Sequence, residues 1–82
     1  PKPAGPKKMG YMAKRELAAL PERIESLEAE QQRLYAETAD PDFYKQGRDA
    51  IARVKNRLAT LEEDLEAAYR RWEALEAMHP SG

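Results

Sequence analysis

The sequence predicts an all-α fold: an antiparallel two-helix coiled-coil hairpin with a flexible N-terminal linker. Three observations carry that reading. First, Ile51, Val54, Leu58, Leu61, Leu65, Ala68, Trp72 and Leu75 recur at alternating steps of three and four. That is a heptad seam with an average period of ~3.5 residues, which holds one helical face against a partner. Second, Ala13, Leu17, Leu20, Ile24, Leu27, Gln31 and Leu34 form a matching stripe upstream. Third, a short stretch rich in Asp, Pro and Gly joins the two, and a link that short returns the chain antiparallel. A narrow seam cannot fold alone, so each stripe needs the other.

The linker comes first. Pro1 to Lys8 reads P-K-P-A-G-P-K-K, and three prolines with a glycine forbid a regular helix. We assign residues 1–9 to a basic linker, 10–79 to the hairpin and 80–82 to a tail. A chain opening on Pro1 reads as a piece of a longer protein. Lys2, Lys7, Lys8, Lys14 and Arg15 give residues 1–15 five positive charges and no negative one. Such a run is either a solvated connector or an arm for phosphates.

Helix one is predicted over about 11–39. Pro21 has no N–H for the Leu17 carbonyl, and its ring crowds the preceding turn. A kink or break is therefore expected at Leu20–Pro21. Gln31 puts one polar residue on the seam, as a tolerated layer or a register pin. The connection, 40–47, should hold one tight turn. Asp40 caps it, Pro41 takes the first position, and Asp42 suits its positive end. The rings of Phe43 and Tyr44 are expected to cover that end of the hairpin. Asp40 and Asp42 lack further converging ligands, so capping outweighs metal binding. Helix two is predicted over about 48–78, because Pro80 disfavours helix at His79. His79 is expected to be solvated.

Side-chain size and charge both bear on the register. Setting Leu34 against Ile51 puts Leu27 on Leu58, Ile24 on Leu61, Leu20 on Leu65, Leu17 on Ala68 and Ala13 on Trp72. Flanking charges then pair as Glu30–Arg57, Arg23–Asp64, Glu16–Arg71 and Glu28–Lys55. Sliding by one heptad brings Arg23 to Arg71, Glu30 to Asp64 and Glu28 to Glu62. Exposed ion pairs are weak, but together they can choose between registers that bury similar seams.

Composition bounds the function. Eighty-two residues make one small domain, 35% of them charged, with a formal net charge of -1. No global field points to nucleic acid or membrane. The absence of cysteine excludes disulfides and thiolate metal sites and suits a cytoplasmic location. No apolar run approaches the ~20 residues of a membrane span. There is no phosphate-cradling G-x-x-x-x-G-K-[ST] loop, and Ser26 and Ser81 have no base partner, so the fragment is read as non-catalytic. The connection and start of helix two hold Lys45, Arg48, Arg53, Lys55 and Arg57 against only Asp49 within that window. These cations form a solvated face by default, or else a modest basic patch near the tip.

Several motifs carry a family resemblance over Lys8 to Glu76. They are Lys8-Met9-Gly10-Tyr11, Arg15-Glu16-Leu17, Leu20-Pro21, Ile24-Glu25, Leu27-Glu28, Ala39-Asp40-Pro41, Phe43-Tyr44 and Tyr69-Arg70-Arg71-Trp72-Glu73-Ala74-Leu75-Glu76. The chain resembles the C-terminal domain of ABC-F ATPases of the Uup type. Gly10, Met12 and Ala13 stand where that family tends to Ser, Lys and Glu. The resemblance implies a coiled-coil hairpin after the second ATPase cassette, and DNA binding as an accessory role. It also implies a ribosome-associated class and a parent protein using ATP and Mg, with no cofactor in this fragment. Residues expected to contact nucleic acid are Lys7, Lys8, Tyr11, Lys14 and Arg15, with Arg48 and Arg53 near the tip. Binding is expected to be weak, sequence-independent and salt-sensitive, to DNA or to RNA. The alternative is a monomeric structural module that docks on the ATPase cassettes, the ribosome or another protein through Trp72, Tyr69 and Tyr11.

Overall fold

The structure is a computed structural model and describes residues 10–78. It is a hairpin of α1 (Tyr11–Ala39), one 3₁₀ turn (Pro41–Lys45) and α2 (Arg48–Met78). Its core is the strip of Leu20, Ile24, Leu27, Leu61, Leu65, Ala68 and Leu75, flanked by half-buried Ala13, Leu17, Leu34 and Trp72. Leu61 and Leu75 are fully buried, at 0% exposure. Each such leucine contributes ~1.5–3 kcal/mol by leaving water.

The break expected at Pro21 does not occur, because α1 is continuous through it. Leu20 and Ile24 are buried on either side of the proline, so packing holds both turns helical. One missing N–H near the helix surface does not outweigh those two anchors. At the turn, the Asp42 N–H donates to Asp40 Oδ1 at 2.9 Å, and Pro41 occupies the first position. Phe43 is 3% exposed and seals this end. Tyr44, expected to help it, is 55% exposed. The Tyr44 ring instead stands edge-on to Phe43, centroids 4.9 Å apart. A single 3₁₀ turn directs neighbouring side chains apart, so only one ring can point inward.

The register also differs from the charge-based expectation. On one flank Arg57 and Arg71 reach Glu30 and Glu16, as expected. On the other flank the Tyr69 hydroxyl donates to Glu28 at 2.7 Å. With Leu17 on Ala68, Tyr69 would lie beside Glu16, roughly 18 Å along the axis from Glu28. A phenol and a carboxylate together cannot span that. Leu75 would also lie beyond the start of α1, yet it is fully buried.

Seating Leu17 on Leu75 resolves both conflicts. It puts Leu20 on Trp72, Ile24 on Ala68, Leu27 on Leu65, Gln31 on Leu61, Leu34 on Leu58 and Thr38 on Val54. Thr38, Val54, Leu34 and Leu58 are all half-buried, as that layering requires. Burying Leu75 outweighs exposed ion pairs, so the hydrophobic seam sets the register. The long arginines then reach along the groove to their glutamates. Of the four expected ion pairs, Arg23–Asp64 and Glu28–Lys55 do not form.

Candidate nucleic-acid interface

The two flanks differ in how their charges are used. On the first flank, Arg71 donates to Glu16 through Nε at 2.6 Å and a terminal nitrogen at 2.9 Å. Arg57 grips Glu30 in the same two-pronged way, both bonds 2.8 Å. These bonds hold the Glu16 and Glu30 carboxyls below the usual carboxylate range. They raise both guanidinium groups further still. Cations tied in this way are already neutralised. Arg53 borders the same flank, in a shallow groove with Glu30, Leu34, Val54 and Arg57.

The second flank carries the heptad positions of Lys14, Glu28, Arg48, Lys55, Glu62, Tyr69 and Glu76. Glu28 holds the Tyr69 hydroxyl, which pushes that phenol above its ordinary range. Among the described residues, Lys14, Arg48 and Lys55 form no ion pair.

Tyr11 opens α1 and is 72% exposed, with the Arg15 guanidinium 5.8 Å from its ring centroid. Lys14 lies on the same turn, and its N–H donates to the Gly10 carbonyl at 3.0 Å. No acid occupies the first turn of α1. The positive end of the helix dipole therefore adds to the field of Lys14 and Arg15 rather than being cancelled. Such a terminus, exposed and cationic, suits an anion.

The expected contact residues are not one cluster. Tyr11, Lys14 and Arg15 lie at the open end, whereas Arg48 and Arg53 lie near the turn, and most of the length of α1 separates them. Lys7 and Lys8 lie outside the described residues, as does His79. The sequence reading places Lys55 among the tip cations but pairs it with Glu28, and gives Tyr44 no part in binding. The Lys55 ammonium sits 6.0 Å from the exposed Tyr44 ring. This repeats the cation-on-tyrosine arrangement of the open end. The local signal was a tyrosine in the turn beside a cationic helix start.

Nothing in this set resembles a metal centre. Asp40 caps the turn, Asp42 pairs with Lys45 at 3.0 Å, and no group of acids or histidines among the described residues converges. Nor is any helix among them long and apolar enough to cross a membrane.

The family model described as the ABC transporter C-terminal domain matches residues 8–77. This chain belongs to that family. The ABC transporter C-terminal domain seen here is 39% identical to the ATP-binding protein Uup of Escherichia coli over 92% of the chain. It is 44% identical to the ATP-binding protein Uup-like of Haemophilus influenzae over 84% of the chain. The domain spans only 12% and 15% of those two curated relatives. A solved structure of the Uup C-terminal domain, described as a DNA-binding coiled-coil motif, superposes with a TM-score of 0.81 at 38% identity. That match covers 90% of this chain and 87% of the other.

Proposed function

We propose that this chain is an accessory domain that binds DNA weakly and without sequence preference, carried by a longer ATP-binding protein. The observation supporting it is the likeness to a DNA-binding coiled coil in both fold and sequence. The Tyr11–Lys14–Arg15 terminus, with no acid in the first turn of α1, supplies matching chemistry: cations for phosphate and a ring able to stack on an exposed base. ATP and Mg would belong to the rest of the parent protein, which would act in the cytoplasm.

The test is a salt titration of duplex binding by the 82-residue chain, with and without residues 1–8. Binding should be present at low salt and fall as salt rises. Neutralising Lys7, Lys8, Lys14 and Arg15 should flatten that dependence by ~0.9 in log–log slope per lost phosphate contact. No binding at low salt would refute this reading.

One observation favours a second reading. Tyr69 and Trp72, ring centroids 6.4 Å apart, line an apolar groove with Glu73, Glu76 and Ala77 near the open end. A structural module would dock there on its own ATPase cassettes, the ribosome or another protein.

A further inference from the structure

We infer that the hairpin lies along duplex DNA and grips it at both ends, one helical turn apart, through the flank that carries Lys14, Arg48 and Lys55. The inference rests on the DNA-binding reading above and specifies how that binding is arranged.

Three observations converge on it. First, the register places Lys14 and Lys55 on the same flank, because Tyr69 and Glu28 on that flank hydrogen-bond across it. Second, each end offers an exposed tyrosine with a cation against it: Tyr11 with Arg15, and Tyr44 with Lys55. Third, at ~1.5 Å per residue Lys14 and Lys55 stand roughly 35 Å apart along the axis. One turn of B-form duplex is ~34–36 Å, so the same face of the backbone returns at that spacing.

The acids of this flank fit the same geometry. Glu28 and Glu62 lie between the two ends, roughly 14 and 10 Å short of Lys55 along the axis, where the duplex backbone turns away from the grip, and Glu28 is already engaged by Tyr69. Glu76 lies beside Lys14 and weakens the open-end grip. On the opposite flank, Arg57 and Arg71 are spent on Glu30 and Glu16, which leaves fewer cations free there. A rigid hairpin brings its second end down at no further cost in chain ordering. The two grips therefore act as one bivalent contact when the duplex is long enough.

The experiment compares salt dependence on two duplexes, one of ~8 and one of ~20 base pairs, spanning less and more than one turn. Both are titrated with the 82-residue chain and with its R48Q/K55Q variant. Both positions are exposed, and circular dichroism checks that the helices are retained. On the long duplex the variant should lose ~1.8 in log–log slope, about 0.9 for each phosphate contact removed. On the short duplex, which only one end can grip at a time, the loss should be less than half as large. An equal loss on both lengths, or no loss on either, overturns the two-ended grip while leaving DNA binding intact. The same pattern on a single strand of matching length would also overturn it, because a flexible strand has no helical repeat. Absence of binding to any length at low salt would remove the DNA-binding reading itself.

Discussion

On one flank of the hairpin Arg57 and Arg71 each close a two-pronged bond on a glutamate of α1. On the other, Lys14, Arg48 and Lys55 close none among the described residues, and the bond across it is made by neutral Tyr69. Both flanks border the same seam, and each holds acids and bases. The difference lies in where the charges fall against the register. Arginines that can reach a glutamate along the groove become part of the scaffold. Lys14, Arg48 and Lys55 close no ion pair among the described residues, although Glu76 lies beside Lys14. Net charge, close to zero, conceals this: among the described residues, on the first flank Arg57 and Arg71 are tied to glutamates while Arg23 and Arg53 form no ion pair, and on the second none of the three cations is tied.

The largest expected effect tests the frame that both flanks share. Leu75→Ala should cost ~2–5 kcal/mol in urea unfolding, because Leu75 is fully buried against α1. In the register with Leu17 on Ala68, Leu75 would overhang the start of α1 and its truncation would cost little. A loss below ~1 kcal/mol would restore that register.

Next comes the titration of the two flanks. Glu16 and Glu30 have lowered pKa values through their arginine bonds. Their stabilisation is fully present above the unfolded carboxylate value of 4.5 and is lost as pH falls through the lowered folded values. Tyr69 has a raised value, so its contribution is present below 10.0 and lost as pH rises through the folded value. Stability curves should therefore flatten on the acid side in an E16Q/E30Q variant and on the alkaline side in Y69F. Curves that keep the wild-type shape would show that these bonds do not persist in solution.

The smallest effect is a null. Arg23 and Asp64 face each other across the first flank without forming an ion pair. A double-mutant cycle of R23E with D64R should show coupling within error at low salt. Clear coupling would mean that this flank is closed along its whole length.

The pattern of the sequence was informative about some parts and silent about others, for identifiable reasons. Alternating steps of three and four from Ile51 to Leu75 are enough to announce a coiled-coil helix. Asp40-Pro41-Asp42 likewise announces its turn through capping chemistry. Register was not legible from charge. An arginine side chain reaches across about half a heptad, so Glu30–Arg57 and Glu16–Arg71 are compatible with more than one alignment. The deciding feature was the need to bury Leu75. At Pro21 the expected break does not form, because the local cost of the proline is visible in the sequence, whereas the burial of Leu20 and Ile24 on both sides is a property of the pair of helices. The candidate interface was half legible. Tyr11, Lys14 and Arg15 stand together in sequence, but Tyr44 and Lys55 meet only once the turn and α2 are folded.

The most direct test compares two double variants, one for each flank. R57Q/R71Q should lower stability while leaving the salt slope of duplex binding almost unchanged. K14Q/K55Q should leave stability unchanged while removing ~1.8 from that slope, two phosphate contacts at ~0.9 each. If R57Q/R71Q flattens the slope as much as K14Q/K55Q does, the arginine-paired flank meets DNA too, and the division of labour between the flanks is wrong.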